Sequence, residues 1–188
     1  MPVTINGDGS ITGLSVGGLG SGVVNTATLA NGAASGSKLT MPAGTVIKFQ
    51  NTKGPASNQN ITSTQSWTTF TGTQVDFTPT FSNSKLDLNW VFALEADQNV
   101  NGIGFRIYRQ SPIGGSDTLI HENYQHSHWG TGSWTGPGQI YLHHVDSPGV
   151  TTPVRYFVQG YREQGNSLYI NYGADDDGIN MTIREVKQ

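Results

Sequence analysis

The sequence predicts an all-β protein: an antiparallel β-sandwich head, jelly-roll-like in its spacing, behind an extended glycine-rich N-terminal arm. Three observations carry that reading. Glycine supplies 25 of 188 residues, well above the usual ~7%, and glycine provides the positive-φ positions of tight turns. Only 12% of residues are charged, against about 25% in ordinary soluble domains. Several segments alternate apolar and polar residues with a period of two, and no stretch shows a convincing 3.6-residue period. A hydrophobic content of 35%, with four Trp and seven Phe, sets the chain apart from disordered polar sequences.

The strands are read from Thr45 onward. Lys85-Leu86-Asp87-Leu88-Asn89-Trp90 alternates strictly, with Leu86, Leu88 and Trp90 on one face. Ile103, Phe105 and Ile107 repeat the pattern, as do Leu168, Ile170 and Tyr172, and then Ile179, Met181 and Ile183. Pro153–Tyr161 is apolar on both faces, which predicts a central or interface strand; in a trimer one side would pack on its own core and the other on a neighbouring subunit. Thr45–Gln50, Trp67–Phe77 and Gln139–Val145 complete the set. Turn clusters separate them at Asn99–Gly102, Ser111–Gly115, Gly130–Gly138 and Ser147–Gly149. Many short strands at this spacing suggest a jelly roll or a related Greek key.

Residues 1–44 differ from the rest. They hold ten glycines, no aromatic residue and only two charged side chains, Asp8 and Lys38. Aliphatic residues nevertheless recur at Val3, Ile5, Ile11, Leu14, Val16, Leu19, Val23, Val24, Leu29 and Leu39. Ordering each residue costs roughly 1–2 kcal/mol, and each aliphatic side chain returns about 1.5–3 kcal/mol at most. A single copy therefore cannot order this segment alone. The expectation is an attachment arm or intertwined stem over 1–44 and a head over 45–188.

Composition also excludes function classes. Net charge is −3 and the ten Lys and Arg residues are scattered, which is not the clustered basic footprint of a nucleic-acid binder. No apolar run reaches the ~20 residues of a membrane-spanning helix, and Met1-Pro2-Val3-Thr4 does not read as a signal peptide. With no cysteine, disulfide and thiolate chemistry are ruled out.

One stretch runs Ile5–Leu14, then Val23–Ala33 and Gly36–Leu39, with a Thr28-Leu29-Ala30-Asn31-Gly32-Ala33 core. A second set comprises Val145–Pro148, Tyr156–Gln159, Leu168–Asn171 and the closing Met181–Val186. Together these resemble tail-fibre and virion-appendage proteins of bacteriophages, particularly those of marine and cyanobacterial hosts. The resemblance implies a homotrimer with a β-sandwich head, assembled in the host cytoplasm and exposed on the virion. Its partners would be other virion proteins, reached through the arm, and a host-surface glycan. With only about 44 residues ahead of the head, a short fibre, a decoration protein or a tail adaptor fits better than a long fibre.

Candidate chemistry concentrates in Tyr124-Gln125-His126-Ser127-His128-Trp129, with Trp134 beyond it. Aromatic planes beside hydroxyl and amide groups on a glycine-rich loop suit sugar rings, so Tyr124, His126, His128, Trp129 and Trp134 form the candidate glycan site. His126 and His128, at i and i+2, would share a face of a strand and could face a threefold axis, but one chain supplies too few ligands for a structural metal. Asp175-Asp176-Asp177 lacks the spaced loop that encloses Ca²⁺. His143, His144, Asp146 and Ser147 are adjacent but alternate in direction, without a nucleophile elbow. Glu95 and Asp97 resemble a glycosidase pair only in composition. The expectation is a structural and binding protein with no catalytic residues, metal or cofactor: a short trimeric fibre or appendage, with capsid decoration or a lectin-like module as alternatives.

Overall fold

The computed structural model describes residues 41–54, 59–61, 63–96, 100–128, 138–165, 168–170 and 178–188, with residues 4–5 and 11–12 ahead of them. The chain divides into two units, Met1–Met41 and Pro42–Gln188. In the first, β1 (Thr4–Ile5) pairs antiparallel with β2 (Ile11–Thr12), Thr4 opposite Thr12 and Ile5 opposite Ile11. The second unit begins three residues before the Thr45 read from the sequence. There the Gly44 N–H donates to the Lys187 carbonyl at 2.8 Å and the Lys187 N–H to the Thr45 carbonyl at 3.0 Å, tying the start of the head to its end.

The head is built from β3 (Val46–Lys53), β4 (Gln59–Ile61), β5 (Thr68–Thr69), β6 (Val75–Phe77), β7 (Lys85–Ala96) and β8 (Asn101–Gln110), followed by β9 (Asp117–His128), β10 (Gly138–Asp146), β11 (Val154–Gln164), β12 (Leu168–Ile170) and β13 (Asn180–Val186). All described pairings are antiparallel. In the first sheet β7 pairs with β10 along one edge, and along the other with β12 and then β13. As the chain rises from Leu168 to Val186, its partners on β7 fall from Ala96 to Lys85. β12 and β13 thus lie on one line along β7, with only Phe92 and Ala93 between their two stretches of pairing. β4 flanks β12 and β3 flanks β13.

The second sheet follows the same plan. β11 pairs with β8 along one edge and with β6 and β5 along the other, and β9 lies beyond β8. β5 and β6 are two pieces of one strand line broken by a 3-10 turn, Thr71–Thr73. The buried Thr73 closes the break: its Oγ accepts from the Val158 N–H at 2.9 Å and donates to the Phe70 carbonyl at 2.8 Å. The Trp90 indole N–H donates to the Thr73 carbonyl at 3.1 Å, linking the first sheet to this turn of the second.

β3 and β4, flanking β13 and β12, likewise share one line, so the eleven described strands of the head form eight lines: β3/β4–β13/β12–β7–β10 in one sheet and β5/β6–β11–β8–β9 in the other. Successive lines alternate between the two sheets except at the β8–β9 hairpin, which is the strand order of a jelly roll. The antiparallel sandwich expected from the sequence is therefore the observed fold.

The core lies between the sheets. Leu86, Leu88, Trp90, Phe92 and Leu94 of β7 point inward at 0–2% exposure, against Ile103, Phe105 and Ile107 of β8 and Val154, Tyr156 and Val158 of β11. Phe70, Phe92 and Phe105 meet with ring centroids 5.6–6.4 Å apart, within the range favoured for aromatic pairs. Gly160 makes room for them: a Cβ there would come within 2.4 Å of Phe70 Cζ and 2.7 Å of Ile61 Cδ1. The alternation of Leu86/Leu88/Trp90, Ile103/Phe105/Ile107 and Ile179/Met181/Ile183 was legible from sequence, and every one of those side chains is buried.

Candidate functional site

Of the residues singled out for glycan contact, Trp129 and Trp134 lie outside the described residues, as do the side chains of Tyr124, His126 and His128. The β9 backbone carrying the last three pairs with β8, Tyr124 opposite Gly104 and His128 opposite Asn101. The register shifts between Gln125 and His128, so the regular two-residue period does not run through that stretch. Asp175–Asp177 and Asp97 also lie outside the described residues, as does the Glu95 side chain. Among the described residues no group of three or more His, Asp or Glu is gathered in a way that could hold a metal ion.

The His143–Ser147 stretch is described, and its members part company along β10. His143 points outward and lies 2.8 Å from an Asp87 oxygen. His144 points inward, its ring stacked on that of His121 of β9 with centroids 5.0 Å apart. Burial, and then the neighbouring His121, hold the His144 imidazole below its ordinary range, with Asp146 pulling the other way. Asp146 is buried; both of its oxygens lie 2.8 Å from Arg109 Nη1 of β8, and Oδ2 accepts the Tyr156 hydroxyl of β11 at 2.8 Å. This cluster joins the end of one sheet to two strands of the other. Burial, followed by the Asp146 charge, raises the Tyr156 phenol well above its ordinary value. Glu185 is likewise buried, accepting the Thr80 N–H at 2.6 Å, the Thr80 hydroxyl at 2.8 Å and the Phe81 N–H at 3.1 Å. These carboxylates hold strands and a loop in place, and their oxygens are committed to structural donors.

Two outer faces remain. On the first sheet, register sets Tyr141, Val91, Asn180 and Lys53 in one row across the strands. His143, Asn89, Thr182 and Asn51 form the next row, and Val145, Asp87, Arg184 and Phe49 the third. Tyr141 is 68% exposed, Phe49 59%, Val46 50% and Val145 47%. Near the centre, Asp87 faces His143, Asn89 at 3.2 Å and Arg184 at 3.5 Å.

The second sheet's outer face is stitched down. Tyr108 and Phe157 stack almost parallel, centroids 5.5 Å apart, and Phe157 is only 4% exposed. Phe157 is the side chain that made Pro153–Tyr161 read as apolar on both faces, and its cover comes from within the chain. Beside it, the Trp67 ring lies 5.0 Å from that of Tyr161, with the Arg106 guanidinium 3.9 Å from the Trp67 centroid. Arg106 Nε donates to Glu122 at 2.7 Å, and that bond raises the guanidinium's proton affinity. Arg155 donates twice to Asp76, at 2.6 and 2.8 Å, holding the Asp76 carboxyl below its usual range. Sequence reasoning placed Trp67 at a strand start but missed this cluster, because its members come from β8, β9, β11 and the residue before β5.

Neither a described protein family nor a curated protein matches the sequence. Solved structures similar to the chain include dimeric latent PorU from Porphyromonas gingivalis, at 7% identity and a TM-score of 0.45, covering 78% of this chain and 14% of that one. A VP2 subviral particle of infectious bursal disease virus is similar at 11% identity and a TM-score of 0.41, over 74% of this chain and 39% of that one. Eiger TNF from S. frugiperda is similar at 10% identity and a TM-score of 0.37, over 70% and 91%. The jelly-roll assignment rests on the strand order itself.

Proposed function

We propose that the protein is a structural virion protein of a bacteriophage, a short homotrimeric fibre or appendage that contributes to host-surface attachment without catalysing a reaction. The observation that carries this reading is the outer face of the first sheet. Tyr141, Phe49, Val46 and Val145 are each roughly half or more exposed on a domain whose other strand-borne apolar side chains are mostly buried. They stand at the two margins of this face, on β10 and on β3, with the polar Asp87 group between them, and covering them with protein would remove apolar surface from water. Covering each half-exposed side chain would contribute roughly 1 kcal/mol, and copies of the same chain are the simplest partner for a surface of self-assembly. The aliphatic spacing of residues 1–44 supports the same reading, since that segment needs other surfaces to become ordered.

The test is the mass of the intact chain in solution by native mass spectrometry. A species at three times 20.1 kDa is expected, and it should persist at nanomolar concentration; a stable monomer would overturn the trimer. Immunogold labelling of particles separates the two virion addresses. Label at the tail supports the fibre, whereas label repeated over the capsid lattice replaces it with decoration.

A further inference from the structure

We propose that the outer face of the second sheet carries a binding platform for neutral pyranose glycans, centred on Trp67 and Tyr161 and bordered by Arg106, Glu122, Gln159 and Thr69. The inference names a recognition surface for the attachment reading and rests on that reading for its biological setting.

The argument begins with what the face exposes. Trp67 and Tyr161 are partly exposed on the solvent side of the sheet, with their rings 5.0 Å apart and inclined by 33°. An indole held at a surface is an apolar plane with a polar edge, the shape that receives the C–H face of a sugar ring while hydroxyls reach outward. The plane is set before any ligand arrives. The Arg106 guanidinium sits 3.9 Å from the indole centroid, and Glu122 fixes that guanidinium through its Nε at 2.7 Å. A ring already held in one orientation costs less entropy to use in binding.

Charge decides the class of sugar. The two arginines on this face are each matched by a carboxylate, Arg106 by Glu122 at 2.7 Å and Arg155 by Asp76 at 2.6 Å. An anionic sugar would have to compete with Glu122 for Arg106 and would gain little from a face already neutralised. A neutral pyranose needs only hydrogen-bonding groups at the rim. Gln159 and Thr69 supply an amide and a hydroxyl, 3.1 Å from each other and one register step from Tyr161. Arg106 has five N–H donors, of which Glu122 takes the one on Nε and Tyr108 engages the guanidinium as well. In the Tyr108–Phe157 pair of the same sheet one ring, Phe157, is covered to 4% exposure, whereas both rings of the Trp67–Tyr161 pair keep partial exposure.

The experiment titrates the full chain with soluble hexamers of β-1,4-linked and α-1,4-linked glucose, a galactomannan oligomer, and a polyuronate of equal length, read by calorimetry and tryptophan fluorescence. Saturable binding of at least one neutral oligomer is expected, with the polyuronate bound no more tightly. Trp67→Ala should weaken binding about tenfold or more, equivalent to about 1.4 kcal/mol. Thr69→Arg, a substitution at an exposed strand position, should block the platform by bulk without opening the core, which keeps the test valid if Trp67→Ala folds poorly. No saturable binding at millimolar sugar, binding unchanged in both variants, or a preference for the polyuronate would each overturn the platform. Native mass measured on the same samples reports separately on assembly, so a failed platform and a failed trimer are told apart.

Discussion

On the outer face of the first sheet, Tyr141 is 68% exposed and Phe49 59%, whereas on the outer face of the second sheet Phe157 is 4% exposed beneath its stack with Tyr108. Both sheets belong to one sandwich and draw on the same sparse charge. They differ in what their strands bring into register. On the second sheet, Arg155 meets Asp76 and Arg106 meets Glu122 across neighbouring strands, and aromatic rings fill the rows between. On the first, Asp87 gathers His143 and Arg184 at the centre while apolar side chains stand at the margins without such cover. The second face pairs its arginines and covers Phe157 while leaving Trp67, Tyr161 and Leu119 partly open, whereas the first leaves its apolar residues at both margins without such cover.

The largest expected effect lies where the two sheets are joined. Asp146→Ala removes the acceptor of both Arg109 and the Tyr156 hydroxyl, and breaking a buried ion pair from one side costs about 3–5 kcal/mol. Urea unfolding should place the loss at about 3 kcal/mol, since Arg109 retains some solvent contact. A loss below about 1 kcal/mol would mean that the cluster does not hold the sheets together. Next comes the contrast between the faces. Phe157→Ala should cost about 3 kcal/mol of protomer stability, at the low end for a buried phenylalanine. Phe49→Ala should change protomer stability by under about 0.5 kcal/mol while weakening the oligomer in sedimentation. Equal stability losses at the two positions would erase the distinction between the faces.

How much of this was legible beforehand follows from which contacts are local. The period-two alternation of β7, β8 and β13 depends on neighbouring residues, and it identified the core strands and the sandwich. Pro153–Tyr161 was read as facing a neighbouring subunit because the outward Phe157 has no partner nearby in sequence; Tyr108, about fifty residues away, supplies it. β9 was not read as a strand over its first half. The extra residue Ile120, set against β8 where Ile107 faces His121 and Tyr108 faces Leu119, breaks the alternation that would have marked it. The Asp146–Arg109–Tyr156 cluster escaped for the same reason as the Trp67 platform. Each joins strands far apart in the chain, and no spacing rule connects them.

A smaller effect concerns the pair of imidazoles between β9 and β10. His144 packs against His121, with Asp146 and His143 near it on its own strand, and burial holds its folded pKa below the ordinary 6.5 of an imidazole. Below pH 6.5 the unfolded chain binds a proton that the folded His144 still resists, so proton uptake favours unfolding. This contribution is present above pH 6.5 and is lost as pH falls toward the folded pKa. Asp76 acts in a lower window: its pKa is depressed below 3.8, so its contribution fades only as pH drops below that value. Thermal unfolding from pH 7.5 to 5 should therefore show a gentle decline that His144→Gln flattens. An unchanged slope in that variant would remove His144 as its source.

The smallest expected effect probes the open face itself. Arg184 is half exposed and reaches Asp87 at 3.5 Å, and Asp87 also has His143 at 2.8 Å and Asn89 at 3.2 Å. Exposed ion pairs contribute about 0–1 kcal/mol, and a carboxylate with other partners loses less than one left alone. Arg184→Ala should thus leave protomer stability within about 0.5 kcal/mol of the parent in urea. If the face is covered in the assembly, the same substitution leaves Asp87 short of a cation in a drier setting, where charges interact more strongly. The oligomer should then dissociate more readily although the protomer is unchanged. A substitution silent in both measurements would show that this face stays in water, and the apolar residues at its margin would need another explanation.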